Sequence, residues 1–186
     1  MSAPLHPPSS VLPPRQLLVR GVNWLGDAVM TTPALLRLRE TFPAAHITLL
    51  TPDKLADLWT GHPAVNAVLA FTAKESVWQV SRRLAAGKFD LALVLPNSPR
   101  SALEVALARV PQRVGYAGGG RGWLLTQAVS HRPGAVTMHK RSVAEIHRLI
   151  AAPHSESAAA TEAGHRPQVH HIHHYLHLAA ALGANP

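Results

Sequence analysis

Between residues 16 and 110 the apolar positions follow two rhythms in turn. Short, nearly unbroken apolar runs have the length and composition of strands: QLLVRGV (16–22), HITLLT (46–51), NAVLAF (66–71) and FDLALVLPN (89–97). Each is followed by a stretch with helical spacing. DAVMTTPALLRLRETF places Val29, Met30, Pro33, Leu35, Leu36 and Leu38 among the charges of Arg37, Arg39 and Glu40. Pro33 falls in its early turns, where a missing N–H does least harm. DKLADLWTG is a second helix, ended by Gly61, and KESVWQVSRRLAAGK a third, with Val77, Val80 and Leu84 on one side. SALEVALARV is a fourth, with Leu103 and Leu107 turned inward. Strand runs without clean alternation, interleaved with helices, predict an α/β fold: a Rossmann-like parallel sheet covered on both faces. In such sheets the loops at the carboxyl ends of the strands hold the site. Both NWLGD (23–27) and PNSPRS (96–101) fall on that edge.

The texture changes after Val110. RVGYAGGGRGWLLT reads as a short strand, a glycine-rich loop and a second short strand. Residues 151–167 hold few large apolar side chains and read as a flexible linker, because they cannot offset their ordering entropy. Residues 168–186 resume a helical pattern, with Ile172, Leu176, Leu178 and Leu182 as its buried positions. At the other end, five of the first sixteen residues are proline, so residues 1–16 read as a disordered leader. The division expected is a leader (1–16), a Rossmann-like domain (17–150), a linker (151–167) and a final helix.

Composition narrows the partners. Lys and Arg number 18 against 10 Asp and Glu, a formal charge of +8, which favours an anionic partner. Alternatively the arginine and alanine content reflects genome composition alone. There are no cysteines, which removes disulfide and thiolate chemistry. No apolar run reaches the roughly 18 residues of a spanning helix. The first residues lack the charged start and apolar core of a signal peptide, so a cytoplasmic location is the simplest expectation.

Asp27 follows a glycine where strand gives way to helix. As a helix N-cap it would stabilise by ~1 kcal/mol. As chemistry, an ionised carboxylate at the sheet edge can take the proton of an attacking hydroxyl. The two roles are compatible. Asn97 and Ser98 offer short hydrogen-bonding groups, and Arg100 a planar fork suited to phosphate or carboxylate; a turn with a serine cap explains the same residues. RVGYAGGGRG lacks the Lys-Ser/Thr ending of a P-loop. It is either a mobile loop bringing Arg113 and Arg121 to an anionic ligand or a plain surface hairpin. His170, His171, His173, His174 and His177 share helix faces, yet without cysteine or a nearby acid they read as structural or incidental and not as a metal site. Few aromatics and no RNP or helix-turn-helix pattern argue against nucleic acid.

RGVNWLGDAVMTTPALLRLRETFP, LVLPNSPRSALEVALARVPQRVGYAGGGRGWLLT and VHHIHHYLHLAAALG, in that order, resemble the N-terminal half of the bacterial lipopolysaccharide heptosyltransferases of glycosyltransferase family 9, type II branch. The resemblance runs from about Leu17 to Gly183, apart from the linker. It implies the acceptor-binding N-terminal lobe of a GT-B fold. The donor, ADP-L-glycero-D-manno-heptose, would sit on a second lobe whose glycine-rich segments and lysine are not found here. Transfer to the lipopolysaccharide inner core would be inverting and independent of metal or cofactor. Asp27 falls on the family's general base. Acceptor contacts are expected near Asn23, Trp24, Asn97, Ser98, Arg100, Arg113 and Arg121. The basic charge would then favour an acidic glycolipid at the inner face of the cytoplasmic membrane, where the chain would sit peripherally. On this reading the chain has little activity alone. Two others remain open: a non-catalytic glycolipid-binding module or decayed remnant, and a small nucleotide-binding α/β protein.

Overall fold

The computed structural model describes residues 13–132 and 171–185. Their elements run β1 (Gln16–Arg20), α1 (Leu25–Thr41), β2 (His46–Pro52), a 3₁₀ segment (Asp53–Trp59), β3 (Ala67–Phe71), α2 (Val77–Ala86), β4 (Leu91–Val94), α3 (Pro99–Leu107), β5 (Gln112–Tyr116), a 3₁₀ turn (Gly122–Leu124), β6 (Gln127–Val129) and α4 (Ile172–Ala180). The six strands form one sheet in the order β3-β2-β1-β4-β5-β6, and every pairing is parallel. The α/β fold with a Rossmann-like parallel sheet is what the apolar rhythm predicts.

Alternate residues of the strands feed two cores. Leu17, Val19, Ile47, Leu49, Leu91 and Leu93 pack under α1, α4 and the first 3₁₀ segment. Leu18, Leu50, Ala92 and Val94 pack under α2 and α3. A strand buried on both faces has no polar alternation to show, which is why these runs read as continuous. The strand order reverses between β1 and β4. Their register pairs Arg20 with Val94, so the chain leaves both strands side by side at one edge. Gly21 sits tightly here: its N–H donates to the Leu50 carbonyl at 2.8 Å, and a Cβ would lie 3.1 Å from that same oxygen.

Several local expectations shift. β1 begins at Gln16, the last residue of the expected leader, and residues 13–15 are described too; Arg15 and Gln16 each donate a backbone N–H to Asp90 at 2.8 Å. Residues 53–59 wind as a 3₁₀ segment instead of an α-helix. On α3 the buried face is Ser101, Ala102, Glu104 and Val105, while Leu103 and Leu107 are only partly buried. A glutamate buried against two arginines rotates the face away from the leucines. β5 and β6 are parallel strands, so the plain hairpin reading of the glycine-rich stretch is excluded. Gly118, Gly119 and Gly120 hold φ of 133°, 57° and 68° in the connecting turn, a succession that side chains with a Cβ resist.

α4 packs against α1, placing Tyr175, Leu178, Ala179 and Leu182 in the same core as Ala28, Ala34 and Leu35. Ile172 and Leu176, expected to be buried, are partly exposed, and Tyr175 takes the inward position instead. The expected linker at 151–167, most of the leader and the 133–150 end of the expected domain lie outside the described residues.

Candidate active site at the β1/β4 switch point

In open parallel sheets, ligands bind outside the carboxyl ends of the strands where the strand order reverses. Here that crevice is bordered by the turn after β1 and the turn after β4. α1 starts from the first turn on one face of the sheet and α3 from the second turn on the other, so two helix N-termini flank it. Their dipoles favour negative charge.

Asp27 is the third residue of α1. It is not the N-cap: that position belongs to Trp24, which makes no side-chain cap bond. The carboxylate therefore remains free for other partners, and they come from α4. Asp27 Oδ1 lies 3.5 Å from His171 Nδ1, and the Tyr175 hydroxyl donates to the same carboxylate. Burial, the Asp27 charge and this hydrogen bond push the Tyr175 phenol well above the ordinary tyrosine range, so it keeps its proton. Asp27 itself stays 31% exposed, within reach of a ligand in the crevice.

The other predicted residues divide into three groups. Asn23, Trp24, Asn97 and Ser98 lie at the crevice. Asn23 Oδ1 accepts from Arg20 Nη1 at 3.2 Å, and the exposed Trp24 ring lies 5.2 Å from the Lys54 ammonium. Ser98 caps α3, accepting from Ser101 N–H at 3.2 Å, with Pro99 as the first helical residue. Arg100 is the second residue of α3, but its fork is largely engaged: Nε donates to Glu104 at 3.0 Å and Nη2 to the Glu75 carbonyl at 2.6 Å.

The remaining two arginines are corrections. Arg121 is not on a mobile loop reaching for a ligand. It is buried, donating to the carbonyls of Pro96 and Tyr116 and, at 2.8 Å, to Asn97 Oδ1. It supports the PNS turn from beneath. Arg113 lies near the amino end of β5, away from the crevice, and donates to the carbonyls of Leu124 and Val110 at 2.7 and 2.6 Å. The histidine tract, read as structural or incidental, takes the structural role. His174 stacks on Tyr116 with centroids 4.0 Å apart, and His171 stacks on His174 at 5.3 Å. Burial first, then the positive partners His171, His131, His177 and Arg132, hold His174 down to about 4. Among the described residues no three His, Asp or Glu are arranged to hold a metal ion; His170 lies outside them.

Sequence reasoning missed Arg20 and Glu104. Arg20 ends β1 almost fully buried, its Nε 2.9 Å from Glu104 Oε2 and its guanidinium 4.6 Å from the Phe71 ring centroid. Burial lowers its pKa, and Glu104 pulls it back up. The pair ties the turn carrying Asn23 to α3. A signal was available for Arg20, an arginine inside an apolar strand run; Glu104 carries none in the sequence.

A lipooligosaccharide heptosyltransferase 2 from Haemophilus ducreyi is 30% identical to this chain over 134 residues, which span 69% of the chain and 38% of that protein. The solved ADP-heptose lipopolysaccharide heptosyltransferase II of Escherichia coli is 32% identical, with a TM-score of 0.55 over 59% of this chain and 33% of its own. This chain is related to the family 9 heptosyltransferases. A family 9 glycosyltransferase structure from Veillonella parvula, only 19% identical, shares the fold over 92% of this chain, with a TM-score of 0.67. No family model matches. The matched stretch is under two-fifths of the curated heptosyltransferase, and that partial coverage fits a likeness to one half of such an enzyme. Among the described residues no helix is long and apolar enough to cross a membrane.

Proposed function

We propose that this chain is the acceptor-side lobe of a heptosyltransferase that moves heptose from ADP-heptose to the inner core of lipopolysaccharide. The observation that supports it most is Asp27, a partly open carboxylate at the β1/β4 switch point, in a chain related to heptosyltransferases. Asp27 accepts the proton of an acceptor hydroxyl. The hydroxyl oxygen bonds to the anomeric carbon of heptose, and the bond from that carbon to the nucleotide breaks on the opposite side. ADP leaves with the electron pair of that bond. Asn23, Trp24, Asn97, Ser98 and Arg100 border the acceptor. Arg121 acts through Asn97, and Arg113 is too distant to touch the sugar. A second lobe, placed beyond the final helix, would hold ADP-heptose. The surplus of basic side chains holds the enzyme near acidic glycolipid on the cytoplasmic membrane face.

Mixing the chain with a separately expressed donor lobe from a heptosyltransferase 2 relative tests this reading. ADP release and heptosylated core product are followed together. Transfer is expected, and Asp27→Asn should reduce it ~100-fold or more, the scale of a lost general base. Full turnover by Asp27→Asn would remove the base assignment. Core glycolipid binding without transfer by the mixed wild-type lobes would instead leave a binding module.

A further inference from the structure

We propose that Tyr175, with His171 beside it, is a positioning residue for the Asp27 carboxylate, so that α4 sets the geometry of the site from outside the strand edge. The inference rests on the reading of Asp27 as base. Three observations lead to it. First, α1 carries Asp27 in its first turn, while the N-cap position belongs to Trp24. Second, α4 packs along α1 and brings two groups to that carboxylate: the Tyr175 hydroxyl, which donates to it, and His171 Nδ1 at 3.5 Å. Third, both groups are held. Tyr175 is 3% exposed within the α1/α4 core. The His171 ring is stacked on His174 and set edge-on to Tyr175 at 5.5 Å and 81°.

A carboxylate on a single flexible χ1/χ2 pair samples orientations in which neither oxygen faces the acceptor. A donor from a rigid neighbouring helix removes that freedom, and such positioning acts on the rate more than on binding. Asp27 faces the pair from α1 and His174 from α4, and His177, His131 and Arg132 act on His174 in turn. The Tyr175 contact is the dry one of the two; His171 is 41% exposed and contributes less.

Two measurements test the proposal. In the chain alone, thermal unfolding is followed for Tyr175→Phe, Asp27→Ala and the double variant. Tyr175→Phe keeps the packed ring and removes only the hydroxyl. It should lower Tm by about 2–4 °C in the native background and by less than about 1 °C in the Asp27→Ala background. Equal shifts in both would overturn the contact. In the two-lobe mixture, Tyr175→Phe should lower kcat ~10-fold and leave the acceptor KM within about twofold. Leu178→Ala, buried on the same helix, should lower Tm without that kcat effect. If Asp27→Asn abolishes transfer while Tyr175→Phe turns over at the native rate, the positioning role is wrong and the base stands. If Asp27→Asn turns over normally, the base reading fails, and with it any catalytic purpose for the contact.

Discussion

Glu104 is fully buried and touches two arginines, with Arg20 Nε at 2.9 Å and Arg100 Nε at 3.0 Å. Its two oxygens divide the work: one neutralises a guanidinium inside the protein, and the other meets one that reaches solvent. Arg20 turns its Nη1 donors to the Gly21 carbonyl and Asn23 Oδ1. Removing the glutamate would strand the Arg20 charge in the core, where the loss of one partner costs about 3–5 kcal/mol. Glu104→Gln should therefore lower Tm by roughly 10 °C, given about 2–4 °C per kcal/mol in a chain of this size. Replacing both partners, Arg20→Met with Glu104→Leu, should recover most of that loss, because no buried charge remains. Circular dichroism melts of the single and double variants check both statements. The double variant should still bind acceptor less well, since Asn23 loses its donor.

The docking of α4 is pH-dependent by construction. Tyr116 donates its hydroxyl to the His174 carbonyl at 2.8 Å and lies 2.9 Å from His177 Nδ1; the carbonyl can only accept, so the imidazole N–H completes the pair. His174 lies against the Tyr116 ring and is held down to about 4. Unfolded, it takes up a proton near pH 6.5. The unfolded chain thus binds more protons between about pH 6.5 and 4. Stability from this group is full above that window, declines as pH falls through it, and is lost below about 4. His62 and His177 shift in the same direction. Melts across the window should show Tm falling with acidity, with a shallower slope in His174→Phe, which keeps a stacking ring and cannot titrate. An unchanged slope in His174→Phe would locate the acid sensitivity elsewhere. α4 also marks the limit of what the sequence discloses. Its helical character was legible from the spacing of Leu178 and Leu182, as the strands were from uninterrupted runs such as LALV. Its partner was not, because a helix separated from α1 by more than a hundred residues declares its docking only through contacts. The inward face of α3 was misread for a related reason: Glu104 looks like a surface residue until Arg20 is placed opposite it. The direction of β6 was equally hidden, since a glycine-rich turn is compatible with a hairpin or with a parallel return. Asp27 reached its edge as expected, but as a first-turn residue and not a cap, a distinction only backbone geometry makes.

At the scale of the whole molecule, charge and topology together decide what the lobe should bind alone. The chain carries a formal +8, and its crevice lies between two helix N-termini. Its edge residues, Asn23, Trp24, Asn97 and Ser98, offer an aromatic face and short polar groups, as a sugar requires. The glycine-rich turn at 118–120 follows β5 and is supported by Arg121, whose guanidinium is spent on protein oxygens, so it presents no free arginine to a diphosphate. A phosphorylated core oligosaccharide should accordingly bind the isolated chain, and ADP should not compete with it. Long-range attraction contributes much of that affinity and is screened within about 10 Å at 0.1 M salt. Raising salt from about 50 to 500 mM should weaken binding of the oligosaccharide ~10-fold, and more for a phosphorylated core than for its dephosphorylated form. Titration calorimetry with both oligosaccharides and with ADP separates the possibilities. Micromolar ADP affinity in the chain alone would make this crevice a nucleotide site and turn the assignment of the two lobes around.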